Sequence, residues 1–254
     1  MMTPMLEVKG LCKIYEARFG KNQYQALSNV SFVIEEGSYT AVMGESGSGK
    51  TTLLNILAGL ETSTSGNVVI NGKELSKIKD SELAVFRRKN LGFVFQDFNL
   101  LNIFSVKDNI MLPLILSKEN HREATQKMRH ITEKLNIVDI IEKYPYEISG
   151  GQKQRVAVAR AMMVNPSLIF ADEPTGALDS KATQNLLNMF DLLNKEGQTL
   201  LMVTHSVKAA CRAKRVLFLK DGVLVYQLER IKDMSNEEMG AGIISYLSQE
   251  ELNG

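Results

Sequence analysis

The segment GESGSGKTT at residues 44–52 restricts the fold of this chain more than any other. It matches the pattern G-x-x-x-x-G-K-[ST], and it lies between the apolar run YTAVM and the apolar helical pattern LLNILAGL. In this strand–loop–helix context, glycines bend backbone N–H groups around an anion. The helix that follows directs the positive end of its dipole at the same point. We therefore predict a phosphate-binding loop within an α/β fold.

The residue types in this loop predict what it binds. Lys50 is expected to reach the β- and γ-phosphates of a nucleotide, and the Thr51 hydroxyl is expected to bind Mg²⁺. The residues expected to surround the nucleotide are Gly44, Glu45, Ser46, Gly47, Ser48, Gly49, Lys50, Thr51 and Thr52. The loop therefore predicts a site for ATP or GTP with Mg²⁺.

Composition narrows the class of partner. Lys and Arg total 30 against 29 for Asp and Glu, so the chain lacks the excess of positive charge that would predict nucleic acid as a partner. Cys12 and Cys211 lack the spacing of a zinc or redox motif, and we expect both to be reduced packing residues. No apolar run reaches the roughly 18 residues that span a bilayer. We expect a soluble cytoplasmic chain whose membrane role requires a partner.

Short apolar runs alternate with helical stretches, which is the pattern of a parallel sheet. Four of the runs end at polar or glycine residues: YTAVM at Gly44, LGFVF at Gln96, SLIFA at Asp172 and Glu173, and TLLMV at Thr204 and His205. Ligands of open α/β sheets bind beyond the carboxyl ends of the strands. These side chains are therefore expected to converge on one edge.

Two other regions have different patterns. The first 40 residues alternate as strands do and predict a small antiparallel layer. Residues 107–165 have a helical pattern, in which Ala124, Met128, Ile131 and Leu135 share one face of a helix.

The polar residues at the strand ends suit nucleotide hydrolysis. Asp172 is placed to hold Mg²⁺, directly or through water, and Glu173 is placed to act as general base toward a water molecule. Gln96 is expected to contact the metal or this water, and His205 to contact the γ-phosphate or orient the water. Taken alone, a Gln or His at such a position is more often a surface or structural residue.

The segment ISGGQ at residues 148–152 precedes a helical run and predicts a helix N-terminus. Ser149, Gly150 and Gly151 would expose unpaired N–H groups there, which makes a second anion site. A simple helix cap is an equal alternative on physical grounds, because one nucleotide needs only one cradle.

Taken together, these motifs closely resemble the nucleotide-binding subunit of ATP-binding cassette (ABC) transporters. The matches in chain order are Tyr15 in CKIY, GESGSGKTT, Gln96, ISGGQ, LIFADE, ALD ending at Asp179, and His205. Ile148 stands where the family usually has Leu. The resemblance implies a P-loop NTPase fold with a parallel-sheet core, a small antiparallel β layer and a helical subdomain. It also implies one domain over residues 1–254, divided into a core (1–96 and 166–227), a helical subdomain (97–165) and a tail (228–254).

The resemblance further implies an ATPase that works as a head-to-tail dimer with a second copy of itself. Ser149, Gly151 and Gln152 of one copy would cap the γ-phosphate held by Lys50 of the other, and Gly150 would also belong to this nucleotide site. Tyr15 would stack on adenine, and Asp179 would also contribute to the nucleotide site.

Within the family, the segments LGFVFQDFNLL, EISGGQKQRVAVARA and ADEPTGALDS are most similar to the branch of macrolide exporters, lipoprotein release and bacitracin resistance. NLLNIFSVKDNIMLPL and EISGGQKQR are most similar to the Bce-type ATPases, which implies ATP-driven resistance to peptide antibiotics such as bacitracin, by export or by target release. The similarity implies a peripheral subunit on the cytoplasmic face of the cell membrane, beneath a permease and often beside a sensor histidine kinase. Lipoprotein-release, macrolide-export or cell-division complexes are the alternative. A soluble ABC ATPase acting on DNA or ribosomes, or a nucleotide switch without turnover, fits less well.

The segment DFNLLNIFSVKDNI after Gln96 is expected to be the docking surface for the cytoplasmic coupling helix of the permease. Its apolar residues Leu100, Leu101, Ile103 and Phe104 fit a docking surface and ordinary core equally well.

Overall fold

The structure, a computed structural model, describes residues 4–16 and 23–253, with the side chains of 251–253 excepted. The chain divides into two compact units. The first unit contains the described residues of Met1–Lys79 and Thr199–Gly254, and the second contains Asp80–Gln198.

The first unit contains a four-stranded antiparallel sheet. Its strands are β1 (Pro4–Glu16), β2 (Gln23–Glu35), β4 (Ser65–Ile70) and β5 (Lys73–Glu74), in the order β2-β1-β4-β5. Val8 of β1 pairs with Phe32 on one side and Val68 on the other, and all three side chains are buried. The predicted antiparallel layer is confirmed, and residues beyond the first 40 extend it.

The first unit also contains the strand that leads into the phosphate loop. The strands are β3 (Tyr39–Met43), β8 (Thr199–Thr204), β9 (Arg215–Lys220) and β10 (Val223–Glu229). β3 pairs in parallel with β8 and β9, and β10 pairs antiparallel with β9. Every residue of β3 and β8 is buried, which explains why both sequences are mainly apolar, with threonine as the only polar residue type. The helices of this unit are α1 (Lys50–Leu57), α7 (Val207–Ala210) and α8 (Asn236–Asn253).

The second unit is largely helical around a pair of parallel strands, β6 (Leu91–Phe95) and β7 (Leu168–Asp172). Its helices are α2 (Asp80–Asn90), α3 (Val106–Leu116), α4 (His121–Lys134), α5 (Gly150–Met162) and α6 (Ser180–Lys195). Short 3-10 turns cover Leu75–Lys77 in the first unit and Val138–Ile140 and Pro145–Glu147 in the second.

Local sequence signals account for the helix positions in the second unit. Ser105 caps α3 through a reciprocal pair of hydrogen bonds with Asp108, and Asn120 caps α4. The predicted apolar face is confirmed, because Ala124, Met128 and Ile131 of α4 and its C-cap residue Leu135 are all buried.

Both cysteines, Cys12 and Cys211, are free thiols, as expected. Among the described residues, no helix is both long enough and apolar enough to cross a bilayer.

Candidate nucleotide-binding and hydrolysis site

The phosphate loop (residues 44–52) connects β3 with α1 and contains two glycines, Gly44 and Gly49. Any other residue at these positions would displace the neighbouring backbone. A Cβ atom at Gly44 would lie 2.1 Å from the backbone oxygen of Leu219 in β9. At Gly49 it would lie 2.5 Å from the backbone oxygen of Ala26, and the φ angle of 99° is in the left-handed region. The close approach of β2 and β9 therefore dictates glycine at both positions.

The loop holds polar groups suited to phosphate. The Lys50 side chain is buried and its Nζ donates to the backbone oxygens of Gly44 at 2.8 Å and Glu45 at 2.6 Å. The Ser48 Oγ is buried without a hydrogen-bond partner among the described residues. A buried hydroxyl without a hydrogen-bond partner costs free energy, so this position favours a ligand that accepts a hydrogen bond from the hydroxyl. Glu45, Ser46, Gly47 and Thr51 are exposed, and Thr52 is half-buried.

Tyr15 lies next to the helix that follows the loop. Its hydroxyl donates to Glu61 Oε2 at 2.8 Å and lies 3.4 Å from Thr52 Oγ1. Burial is the main cause that raises the pKa of Tyr15. The Lys13 Nζ lies 4.9 Å from the centre of the Tyr15 ring. Tyr15 keeps 38% of its surface exposed. The stacking of adenine on this exposed ring stays a prediction.

His205 lies at the same edge as the phosphate loop. In the parallel pairing of β3 with β8, Met43 is opposite Thr204, so Gly44 and His205 leave their strands side by side. The residues Gly44–Ser48 and His205 line one cleft of about 570 Å³. His205 is exposed at this cleft, next to the loop.

A corresponding edge exists in the second unit. β6 and β7 pair with Phe95 opposite Asp172, so Gln96 and Glu173 leave their strands side by side. A Cβ atom at Gly176 would lie 2.9 Å from the Gln96 amide group, which shows that this amide packs against the loop after Glu173.

Glu173 has a left-handed backbone conformation, with a φ angle of 43°. Such a conformation costs a non-glycine residue on the order of 1–3 kcal/mol and occurs most often at functional sites. The Glu173 backbone oxygen accepts a hydrogen bond from Gly176 N at 3.0 Å, which closes the turn. The strained turn directs the residue away from the extended path of β7.

The signature segment (residues 148–152) forms a helix cap with groups left over for an anion. Ser149 Oγ accepts from Gln152 N at 3.3 Å, and Gln152 Oε1 accepts from Ser149 N at 2.9 Å. Both contacts use acceptor atoms, so the Ser149 O–H and the Gln152 NH₂ can still donate. The predicted helix N-terminus is confirmed, and the cap is compatible with the anion site. A Cβ atom at Gly151 would lie 2.9 Å from Ala182 Cβ, whereas Gly150 has ordinary contacts.

Asp179 is the N-cap of α6, a role that was not predicted from the sequence. Its Oδ1 accepts from Ala182 N at 2.7 Å and caps α6. An Asp directly before a helical run is a cap signal that could have been recognised. Its role at the nucleotide stays a prediction.

Arg160 was also missed. Its guanidinium donates to the backbone oxygen of Phe98 at 2.9 Å and to that of Asn99. These residues follow Gln96 with φ angles of 61° and 48°. Burial lowers the pKa of Arg160. The arginine thus holds two left-handed residues after Gln96, and no sequence pattern indicates this because α5 and β6 are distant in the chain.

The residues predicted to bind Mg²⁺ carry suitable donor atoms. Thr51, Gln96 and Asp172 each offer an oxygen, the ligand that this ion prefers. Within the described ranges, no group of three or more His, Cys, Asp and Glu residues forms a metal cage. Mg²⁺ usually binds through one or two carboxylates together with substrate phosphates, so the donor set fits that mode.

The chain matches the family described as ABC transporter over residues 27–176. It belongs to the ABC transporter family. It is 51% identical over 230 residues to the ABC transporter ATP-binding protein YxdL of Bacillus subtilis, covering 90% of this chain and 88% of YxdL. It is 45% identical over 227 residues to the bacitracin export ATP-binding protein BceA of Halalkalibacterium halodurans, covering 89% of each chain.

A solved structure has the same fold. It is a dimeric post-hydrolysis state of the ATP-binding cassette MJ0796 bound to ADP and Pi, with a TM-score of 0.80 and 36% identity. The match covers 89% of this chain and 98% of that one. The predicted ABC ATPase fold is confirmed. The chain is an ATP-binding and ATP-hydrolysing subunit that energises a transporter.

Proposed function

We propose that this ABC ATPase energises a bacterial transporter that confers resistance to peptide antibiotics such as bacitracin, by export or by release from their target. Its likeness to the bacitracin export ATP-binding protein over most of both chains carries the proposal. Peptide specificity would lie in the permease, because the motifs of this chain are assigned to the nucleotide.

In this proposal, the loop amides, Ser48 and Lys50 hold the phosphates, and Tyr15 holds the adenine. Thr51, Gln96 and Asp172 supply ligands to Mg²⁺, which neutralises developing charge on the phosphates when bound. Glu173 takes a proton from the attacking water, and His205 contacts the γ-phosphate.

The proposed assembly contains two copies of the chain. Ser149 and Gln152 of each copy donate to the γ-phosphate held by the other, in line with the donors that the helix cap leaves available. The first turn of α5 adds backbone N–H groups and a positive helix end. ATP then favours the closed dimer, since it has more contacts there than in the separate copies.

The Lys50→Ala variant tests the assignment of the phosphate loop. Loss of the ammonium removes charge-assisted hydrogen bonds worth about 1.5–3 kcal/mol, or about 10- to 100-fold in the Kd for ATP. Isothermal titration calorimetry measures this Kd. Lys73→Ala, at an exposed lysine of β5, is the control and is expected to bind normally. Unchanged affinity in Lys50→Ala would remove the assignment.

The proposed permease contact is the loop of residues 101–105. Ile103 is 81% exposed and Leu101 is 43% exposed, so neither belongs to the core. The fully buried Asn109 holds this loop by accepting from Leu101 N at 2.8 Å and donating to the backbone oxygens of Leu101, Phe104 and Ser105. A rigid loop presents apolar side chains at low entropic cost.

Ile103→Asp is therefore expected to reduce co-purification with the permease at least about tenfold, because a charge would enter an apolar contact. Tagged protein is extracted from native membranes in detergent, and the bound permease is quantified by mass spectrometry. Leu192→Asp places the same charge at an exposed leucine of α6 and is the control. Equal permease recovery for both variants would contradict the contact. Mass spectrometry of the same preparation also shows whether a sensor histidine kinase co-purifies.

Deletion of the gene tests the transported class. The deletion strain is expected to become sensitive to bacitracin and related peptides, and the wild-type gene is expected to restore resistance. Unchanged peptide sensitivity with raised macrolide sensitivity would instead favour the macrolide-export alternative.

A further inference from the structure

The phosphate loop rests on the hairpin formed by β9 and β10. Gly222, in the turn of this hairpin, donates its N–H to the backbone oxygen of Ser48 at 3.0 Å. Its own backbone oxygen accepts from Ser28 N of β2 at 2.8 Å. The close approach of Leu219 to Gly44 adds a second support on the same hairpin. A displacement of the hairpin therefore displaces the loop.

Helix α8 also holds this hairpin. The Tyr246 ring packs against Phe218 of β9, with 4.4 Å between ring centres, and stacks on Tyr226 of β10 at 4.5 Å and 14°. Glu250 forms an ion pair with Lys220 of β9 at 2.7 Å. Tyr246, Leu247 and Glu250 also line the cleft that contains the phosphate loop and His205. The helix thus contacts both strands of the hairpin next to the turn that supports Ser48.

The start of α8 is also anchored through Arg230, the residue directly after β10. Met239 and Ile243 are fully buried. The Arg230 guanidinium donates to the backbone oxygens of Cys211 and Met234 and to the Asn236 side chain at 2.9 Å. These contacts fix α8 to the residues that follow α7, so Tyr246 and Glu250 act from a rigid base.

We propose that Tyr246 and Glu250 of α8 are positioning residues for ATP, which hold the β9–β10 hairpin and through it the phosphate loop. Neither residue needs to contact the nucleotide. The ring stack restrains both strands, and the ion pair restrains the strand end from which the Asp221–Gly222 turn begins. The inference rests on the proposed assignment of the loop to the phosphates.

The test compares AMP-PNP, which has three phosphate positions, with AMP, which has one. Tyr246→Ala is expected to raise the Kd for AMP-PNP about 2- to 10-fold, the range of an aromatic pair. The Kd for AMP is expected to change less than about twofold. The hairpin supports the loop that reaches the β- and γ-phosphates, and AMP lacks both of these phosphates. Tyr246→Phe keeps the ring and is expected to restore AMP-PNP binding. Ser245→Ala, at an exposed residue of α8, is the control.

The ion pair gives a second test that needs no core substitution. Glu250→Gln is expected to raise the Kd for AMP-PNP about 2- to 5-fold, because exposed ion pairs contribute little. The double variant Lys220→Glu with Glu250→Lys re-forms the ion pair with its charges exchanged and is expected to restore the wild-type Kd for AMP-PNP. Calorimetry on the full chain, with thermal unfolding of each variant, separates positioning from loss of folded protein.

Equal weakening of both ligands in Tyr246→Ala, or unchanged AMP-PNP binding in both Tyr246→Ala and Glu250→Gln, would overturn the proposal. If Tyr246→Ala does not fold, Glu250→Gln and the double variant decide alone. Normal AMP-PNP binding in Lys50→Ala would instead overturn the assignment of the loop itself, so the two failures are distinguishable.

Discussion

Glu173→Gln is expected to bind ATP but to hydrolyse it roughly 10²- to 10⁴-fold more slowly, the usual contribution of a positioned base. The amide has the shape of the carboxylate but does not accept the proton of the attacking water. Because hydrolysis ends the closed state, the variant is also expected to accumulate a long-lived dimer. Steady-state phosphate release measures the rate, and size-exclusion chromatography with and without ATP measures the dimer.

Glu142→Gln changes the same functional group at an exposed position of the second unit and is the matched control. It is expected to hydrolyse ATP at the wild-type rate and to show no stable dimer. Wild-type turnover in Glu173→Gln would exclude the role of general base. A slow variant that stays monomeric with ATP would contradict the proposed two-copy assembly.

Gly49→Ala is expected to reduce ATP affinity by at least about tenfold, as its Cβ atom would lie 2.5 Å from the backbone oxygen of Ala26. Gly49 is the N-cap directly before α1, so relief of this contact displaces the phosphate loop. Calorimetric titration with ATP measures the Kd, and thermal unfolding reports stability.

Gly72→Ala separates this steric effect from backbone strain. Gly72 has a φ angle of 72°, also left-handed, but a Cβ atom there meets nothing within 4 Å. Both variants therefore incur the strain of about 1–2 kcal/mol, whereas only Gly49→Ala forces the loop to move. Equal ATP affinity in the two variants would contradict the steric explanation.

Much of the fold was predictable because its signals are local. The runs that became β3, β6, β7 and β8 are mostly apolar, since strands buried on both faces need few polar positions. The phosphate loop and the signature segment were recognisable because glycine and capping residues act on their own backbone. The domain limits and the nucleotide roles of the individual residues stay predictions.

Other features depend on residues that are distant in the chain. Arg160 holds the residues after Gln96 across about sixty positions, and neither segment carries a mark of the other. The tail from residue 228 had no assignment, yet it contains α8, whose Tyr246 stacks on Tyr226. Ile103 had two equal interpretations until its exposure excluded the core.

The sequence by itself determined the family, the ATPase activity and the order of strands and helices that carries the motifs, because backbone conformation and anion binding depend on neighbouring residues. Only the tertiary structure decided why Gly44 and Gly49 must be glycine and what supports the loop that contains them. The reason is physical: these constraints arise where β2, β9 and α8 approach from elsewhere in the chain, and no local pattern encodes that approach.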